Sequence, residues 1–175
     1  MGNIVTVNEN CCNLFNYTKK EMLRLRVNEI MPTCYSEIHD SILSRFLKHR
    51  SSRINTDNRN IFGKNRNHFI FPMILQLRAL SWNNNDELIF ISSLEGVKNH
   101  SAPISCIIDQ EGDIQDYTST FAYLFMKKVR NNNQIKSKNI QELIPSFFEV
   151  VENQKVTEAK KLIFPERVSA KKKTQ

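Results

Sequence analysis

The sequence predicts an α+β fold in which short helices and one longer helix cover one face of an antiparallel sheet. Three observations lead there. The apolar residues between Thr33 and about His49 recur at three- and four-residue steps, the spacing of a helix stripe. From Phe69 to Leu80 they alternate, as in a strand with one buried face. Short polar stretches with glycine or asparagine separate these segments, as turns do.

Gly2 to Val7 is a short β-prone stretch, and Asn8 offers a side-chain cap for a brief helix through Leu14 and Phe15. Thr18-Lys-Lys-Glu21 has capping-box spacing, with Met22, Leu23 and Leu25 following as the buried side. Val27, Ile30 and Met31 make one apolar turn. Pro32 helps end it, because the residue before a proline is pushed away from helical dihedrals. In the longest helix, Tyr35, Ile38, Ile42, Leu43, Phe46 and Leu47 share a stripe.

Arg53 to Phe62 then reads as a strand and Gly63 to Asn67 as a polar hairpin turn. Phe69 to Leu80 is a long strand with Phe69, Phe71, Met73, Leu75 and Leu77 on one face. Pro72 has no N–H to give a ladder, so an edge or bulge position is expected for it. Trp82 to Asp86 is the next turn. Leu88 to Leu94, apolar on both faces in its first half, reads as an inner strand.

A second unit follows the polar stretch Lys98 to Ser101. Ile104 to Asp109 is a strand, Gln110 to Asp113 a turn around Gly112, Ile114 to Tyr117 a strand and Thr120 to Met126 a helix. Gly112-Asp-Ile repeats Gly2-Asn-Ile, Leu124-Phe125 repeats Leu14-Phe15, and Ile140-Gln-Glu-Leu-Ile-Pro145 repeats Val27-Asn-Glu-Ile-Met-Pro32. The same elements return in the same order about 110 residues later.

Composition removes several classes of function. No run approaches the roughly 18 apolar residues of a membrane span. The cysteines at 11, 12, 34 and 106 have no metal-ligand spacing and fit a reduced, intracellular compartment. The net charge of +7 is spread out, with its densest cluster at Lys171-Lys-Lys173, so a solvated tail explains it better than a nucleic-acid or membrane patch. Lys64, Arg66 and Arg78 beside the Phe-rich strands could be mistaken for a single-strand stacking platform, but a sheet face covered by helices accounts for them more simply. There is no phosphate-cradling glycine loop, Gly-x-Ser-x-Gly, His-Glu-x-x-His or carboxylate pair, and the chain is expected not to be an enzyme.

The run from Ile30 through Met-Pro and His39-Asp40 to Phe62-Gly63-Lys64 and Phe69 to Met73 resembles the second half of a PAS domain. The resemblance implies a five-stranded antiparallel sheet in spatial order 2-1-5-4-3, covered on one face by helices. It gives domain boundaries of 2–97 for one PAS domain lacking its first strand and 98–103 for a linker. Residues 104–151 would be a partial second PAS repeat, and 152–175 a polar, basic tail. The first strand is either missing or supplied by 104–109. The Asn and Lys richness also resembles coding from an AT-rich protist genome, such as a ciliate's.

The family's function is sensing and interaction. The resemblance implies a non-catalytic module of a larger, cytoplasmic assembly, with other protein subunits or a second PAS domain as partners. Its interaction surface would be the outer sheet face at Ile70, Ile74 and Leu80. No cofactor is the first expectation, with a packed or small-ligand core. The alternative is a haem-based gas or redox sensor. His39-Asp-Ser-Ile-Leu-Ser-Arg45 resembles the axial-histidine pattern of haem PAS domains, with Arg45 near a propionate and Arg59, four residues before Gly63-Lys64, on the distal side. Flavin photochemistry is disfavoured, because no Asn-Cys-Arg motif stands near Val27 to Met31.

Overall fold

The computed structural model describes residues 2–49, 58–82, 87–97, 103–125 and 139–149. The first unit opens with two capped helices. Asn8 Oδ1 accepts from the Cys11 amide at 2.9 Å and starts α1 (Glu9–Phe15). Thr18 and Glu21 form the expected capping box on α2 (Lys19–Met22), each side chain accepting from the other's backbone N–H. A 3-10 turn, Val27–Ile30, ends before Pro32, and α3 (Thr33–His49) follows. Its inward side carries Tyr35, His39, Leu43, Phe46 and Leu47, whereas Ile38 and Ile42 of the expected stripe are exposed.

β1 (Arg59–Lys64), β2 (Ile70–Trp82) and β3 (Glu87–Gly96) form an antiparallel meander in spatial order β1-β2-β3. At the β1–β2 turn, the Asn65 side-chain oxygen accepts from the amides of Asn67 and Phe69, and His68 takes a left-handed φ of 62°. One face of this sheet meets α1 and α2 in a core built on Cys12, Phe15, Met22, Ile30 and Met73. Fully burying a ring such as Phe15 contributes about 1.5–3 kcal/mol.

Pro72 departs from expectation, since it lies in the central strand, paired with Phe62 without a bulge. Its carbonyl accepts from Val97 N on the β3 side, so its absent N–H would point the same way. The β2–β3 ladder starts one residue later, at Met73↔Gly96, so the proline forfeits only the reciprocal bond to Val97 at the ladder's end.

The second unit comprises β4 (Cys106–Ile108), β5 (Ile114–Tyr117), α4 (Ser119–Phe125) and α5 (Ile140–Leu143). Its core holds Ile114, Tyr117, Phe121, Ala122 and Ile140, together with Phe69 from the first unit. It repeats the backbone devices of the first. Gly2 and Gly112 both have positive φ, at 78° and 87°. Their carbonyls accept from Val27 N and Ile140 N, each at 2.8 Å. Isolated bridges join Asn3 to Arg26 and Asp113 to Asn139. Thr118 Oγ1 accepts from Phe121 N as Asn8 does from Cys11 N.

Among the described residues the strands form a three-stranded and a two-stranded sheet instead of a single five-stranded one. Gly2 to Val7 contributes one bridge instead of a strand, and β4 pairs with β5 in a separate two-stranded ladder. Residues 104–109 therefore do not fill the first-strand position beside β3. The tight turn at Gly112 makes the β4–β5 hairpin a local closure, which costs less chain entropy than a longer-range pairing. Among the described residues β3 is an edge strand instead of an inner one. Residues 53–57 of the first expected strand, the turn at 83–86, residues 98–102 of the linker and the tail 152–175 lie outside the described residues.

Candidate functional site

Two places in the first unit carry the candidate residues. The first lies between the 3-10 turn and α3. Arg26 Nη2 donates to Asp40 Oδ2 at 2.7 Å, and this bond holds the Asp40 carboxyl below its ordinary range. Asn28 Nδ2 donates to the Ser36 carbonyl at 3.0 Å and approaches Asp40 Oδ1 at 3.5 Å. His39 sits beside this network, half-buried, its Nδ1 4.0 Å from Asp40 Oδ1. Neither His39 Nδ1 nor Asn28 Oδ1 has a hydrogen-bond partner among the described residues. Burial lowers the His39 pKa from 6.5, and the Arg26 charge adds to this against the opposing pull of Asp40.

Arg45 and Arg59 are both exposed, Arg45 on α3 and Arg59 at the start of β1. Arg45 lies six positions after His39, so at ~100° per residue it points about 120° away around the helix. The outward direction of both side chains separates them from the inward His39.

The second place is the outer face of the meander. Residues directly paired across the ladder share a face, so Ile70, Ile74 and Leu80 lie with Ile89 and Ile91 of β3. Leu80 is 42% exposed and Ile91 52%. They are diagonal neighbours, since Leu80 pairs with Ile89 and Arg78 with Ile91. Ile91 was readable as part of a β-prone run, but its face depends on a register that the sequence does not state. Ile70, expected on the open face, is buried. It pairs with Lys64, whose ammonium lies 3.7 Å from Asp116 Oδ1, and it adjoins Phe69, whose ring packs on Tyr117. Lys64 and Phe69 thus touch the second unit at that end of the sheet.

Asp116 of β5 is the residue that sequence reasoning missed. Buried, it accepts from the Thr33 amide at 2.7 Å through Oδ2, and Lys64 Nζ also donates to Thr33 Oγ1 at 3.3 Å. Its neighbour Tyr117 is fully buried, its hydroxyl without a partner among the described residues, and burial, then the Asp116 charge, pushes its pKa up to about 12. The four cysteines are free thiols. Among the described residues no cluster of His, Cys, Asp or Glu could hold a metal, and no helix is long and apolar enough to cross a membrane.

Helices packed on one face of an antiparallel meander define an α+β module. A PAS domain family model matches residues 1–95, and the chain belongs to the PAS domain family. Such domains are generally non-catalytic sensory modules that commonly mediate protein interactions. A probable serine/threonine-protein kinase of Dictyostelium discoideum is 29% identical over 97 residues. The match covers 55% of this chain and 6% of the kinase.

Proposed function

We propose that the chain is a non-catalytic PAS module that regulates a larger protein or assembly by pairing through the outer face of its meander with another PAS domain. The observation carrying this reading is the exposed apolar patch of Leu80 and Ile91, backed by Ile74 and Ile89. Residues 104–151 are read as the opening half of a second PAS repeat, supported by the shared glycine turns, bridges and helix caps. The free cysteines suit a reducing, cytoplasmic setting. The kinase name of the relative is consistent with a sensory module attached to a signalling enzyme.

Sedimentation velocity over a concentration series tests the pairing. The chain is expected to dimerise reversibly, and Leu80→Glu with Ile91→Glu to leave a folded monomer. A dimer that survives both charges, or a monomer at every concentration, would remove the outer face as the pairing surface.

A second reading, a haem-based gas or redox sensor, has one observation in its favour: the half-buried His39 has its Nδ1 unpartnered among the described residues, and burial disfavours the charged imidazole. His39 would be the axial ligand and the haem would supply gas binding, while Arg45 and Arg59 would have to turn inward. A Soret band after incubation with haem that is absent from His39→Ala would favour this reading; equal spectra for both would end it.

A further inference from the structure

Helices α1, α2, α4 and α5 each start on a side-chain oxygen just ahead of them: Asn8, Thr18, Thr118 and Asn139 accept from the amides of Cys11, Glu21, Phe121 and Gln141. The longest helix does not. The residue ahead of α3 is Pro32, which has no side-chain oxygen. Its carbonyl accepts from the Tyr35 and Ser36 amides at 3.1 and 3.0 Å, which leaves the Thr33 amide in need of an outside acceptor. Asp116 of the second unit supplies it, at 2.7 Å. The same carboxylate faces Lys64 Nζ at 3.7 Å, and Lys64 also donates to Thr33 Oγ1 at 3.3 Å. The Lys64 and Asp116 side chains are only 13% and 2% exposed. One residue further along β5, the Tyr117 ring rests against Phe69.

We propose that Thr33, Lys64 and Asp116 form a clasp through which the seating of the second unit sets the order of the first turn of α3. Burial makes the clasp two-state. A carboxylate cannot stay dry after losing both an ammonium and an amide, because an unpaired buried charge carries a large desolvation cost. Partial withdrawal of β5 is therefore the least stable arrangement. The clasp is either shut, or released with Asp116 in water and the Thr33 amide uncapped. Further along, α3 is tied within the first unit, where Asn28 Nδ2 donates to the Ser36 carbonyl and Arg26 to Asp40. Release thus loosens the turn ahead of those ties, which begins six positions before His39. A partner that draws β5 away reaches the helix bearing the first candidate site, and by linkage a change at the start of α3 alters the hold on β5. The device does not depend on pairing through Leu80 and Ile91.

Hydrogen exchange on the whole chain tests the clasp, with Gly112→Val as the lever. That position has a φ of 87°, which a side chain disfavours, and a Cβ there would come 2.9 Å from Phe148, so the strain falls on the second unit's own residues. The Ile140 amide, bonded to the Gly112 carbonyl at 2.8 Å, reports whether the unit has loosened; if it has not, Phe121→Ala serves as the lever instead. The Thr33, Tyr35 and Ser36 amides are expected to exchange about tenfold faster or more, while the Val27 amide, bonded to Gly2, keeps its rate. Lys64→Met with Asp116→Leu removes the clasp by replacing a buried ion pair with apolar side chains of similar volume, a change that folds often tolerate. In that background the lever should leave the three amides unmoved. A loosened Ile140 amide beside an unchanged Thr33 amide would overturn the proposal. Equal acceleration at Val27, the sign of one block unfolding, or acceleration that persists without the clasp would do the same.

Discussion

Gly63 of β1 lies directly beneath the ring of Phe15: a Cβ there would come 3.0 Å from Phe15 Cε1, 2.9 Å from Phe71 Cζ and 3.0 Å from Met73 Sδ. The α1 helix can seat on the sheet because that position has no side chain. Gly63→Ala should therefore destabilise by about 1–3 kcal/mol through overpacking, measured by urea denaturation. Adding Phe71→Leu should recover part of the loss. An unaltered midpoint in Gly63→Ala would mean that the helix and sheet are not in close contact.

Asp116 should be the most sensitive position outside the first core. Its removal leaves Lys64 without a counter-ion and the Thr33 amide without an acceptor, in a largely buried site. Asp116→Ala is expected to cost about 3–5 kcal/mol, the penalty of breaking a buried ion pair. Asp116→Asn retains an acceptor for Thr33 and should cost less. Equal losses for the two substitutions would assign the whole effect to the ion pair.

His39 gives a dependence on pH. Its folded-state pKa lies below 6.5, so the unfolded chain binds a proton more readily than the native one. The contribution of His39 is constant above that value, falls as pH drops toward the folded pKa, and levels off below it. His39→Gln should remove this slope. The Arg26–Asp40 contribution is separate: it is present above the ordinary carboxylate value of 3.8 and lost at more acid pH, as Asp40 protonates through its lowered pKa. Denaturant midpoints measured from neutral to strongly acid pH, below the carboxylate range, distinguish the two windows.

Tyr117→Phe removes a buried hydroxyl that has no partner among the described residues and keeps the ring that packs on Phe69 and Phe121. Stability should hold or rise by up to about 1 kcal/mol, against the usual sign of a core substitution. A loss above about 1 kcal/mol would reveal that the hydroxyl is bonded in solution.

Local chemistry made much of the fold readable in the sequence. The Asn8 cap, the Thr18–Glu21 box and the length of α3 each depend on residues within a few positions of one another, and each is observed. Pro72 was readable as a residue lacking a donor, but its tolerance inside the central strand depends on where β3 stops. Ile70 and Ile74 alternate onto the same face, yet Ile70 is buried and Ile74 is not, and alternation alone does not say which end of a face is covered. The five-stranded sheet failed for a related reason, since strand propensity at Gly2 to Val7 and Ile104 to Asp109 does not choose a partner. Nothing near Asp116 in the chain points to Thr33.

The bond between Thr33 and Asp116 also sets an order of events during synthesis. The acceptor that closes the first turn of the longest helix is encoded 83 residues after the amide it serves. At a translation rate of roughly 5–20 residues per second, α3 leaves the ribosome about 4–17 s before that acceptor exists. The PAS unit therefore emerges with its main helix still open at one end, and for that interval a nascent-chain chaperone meets a domain whose last tie has yet to be translated.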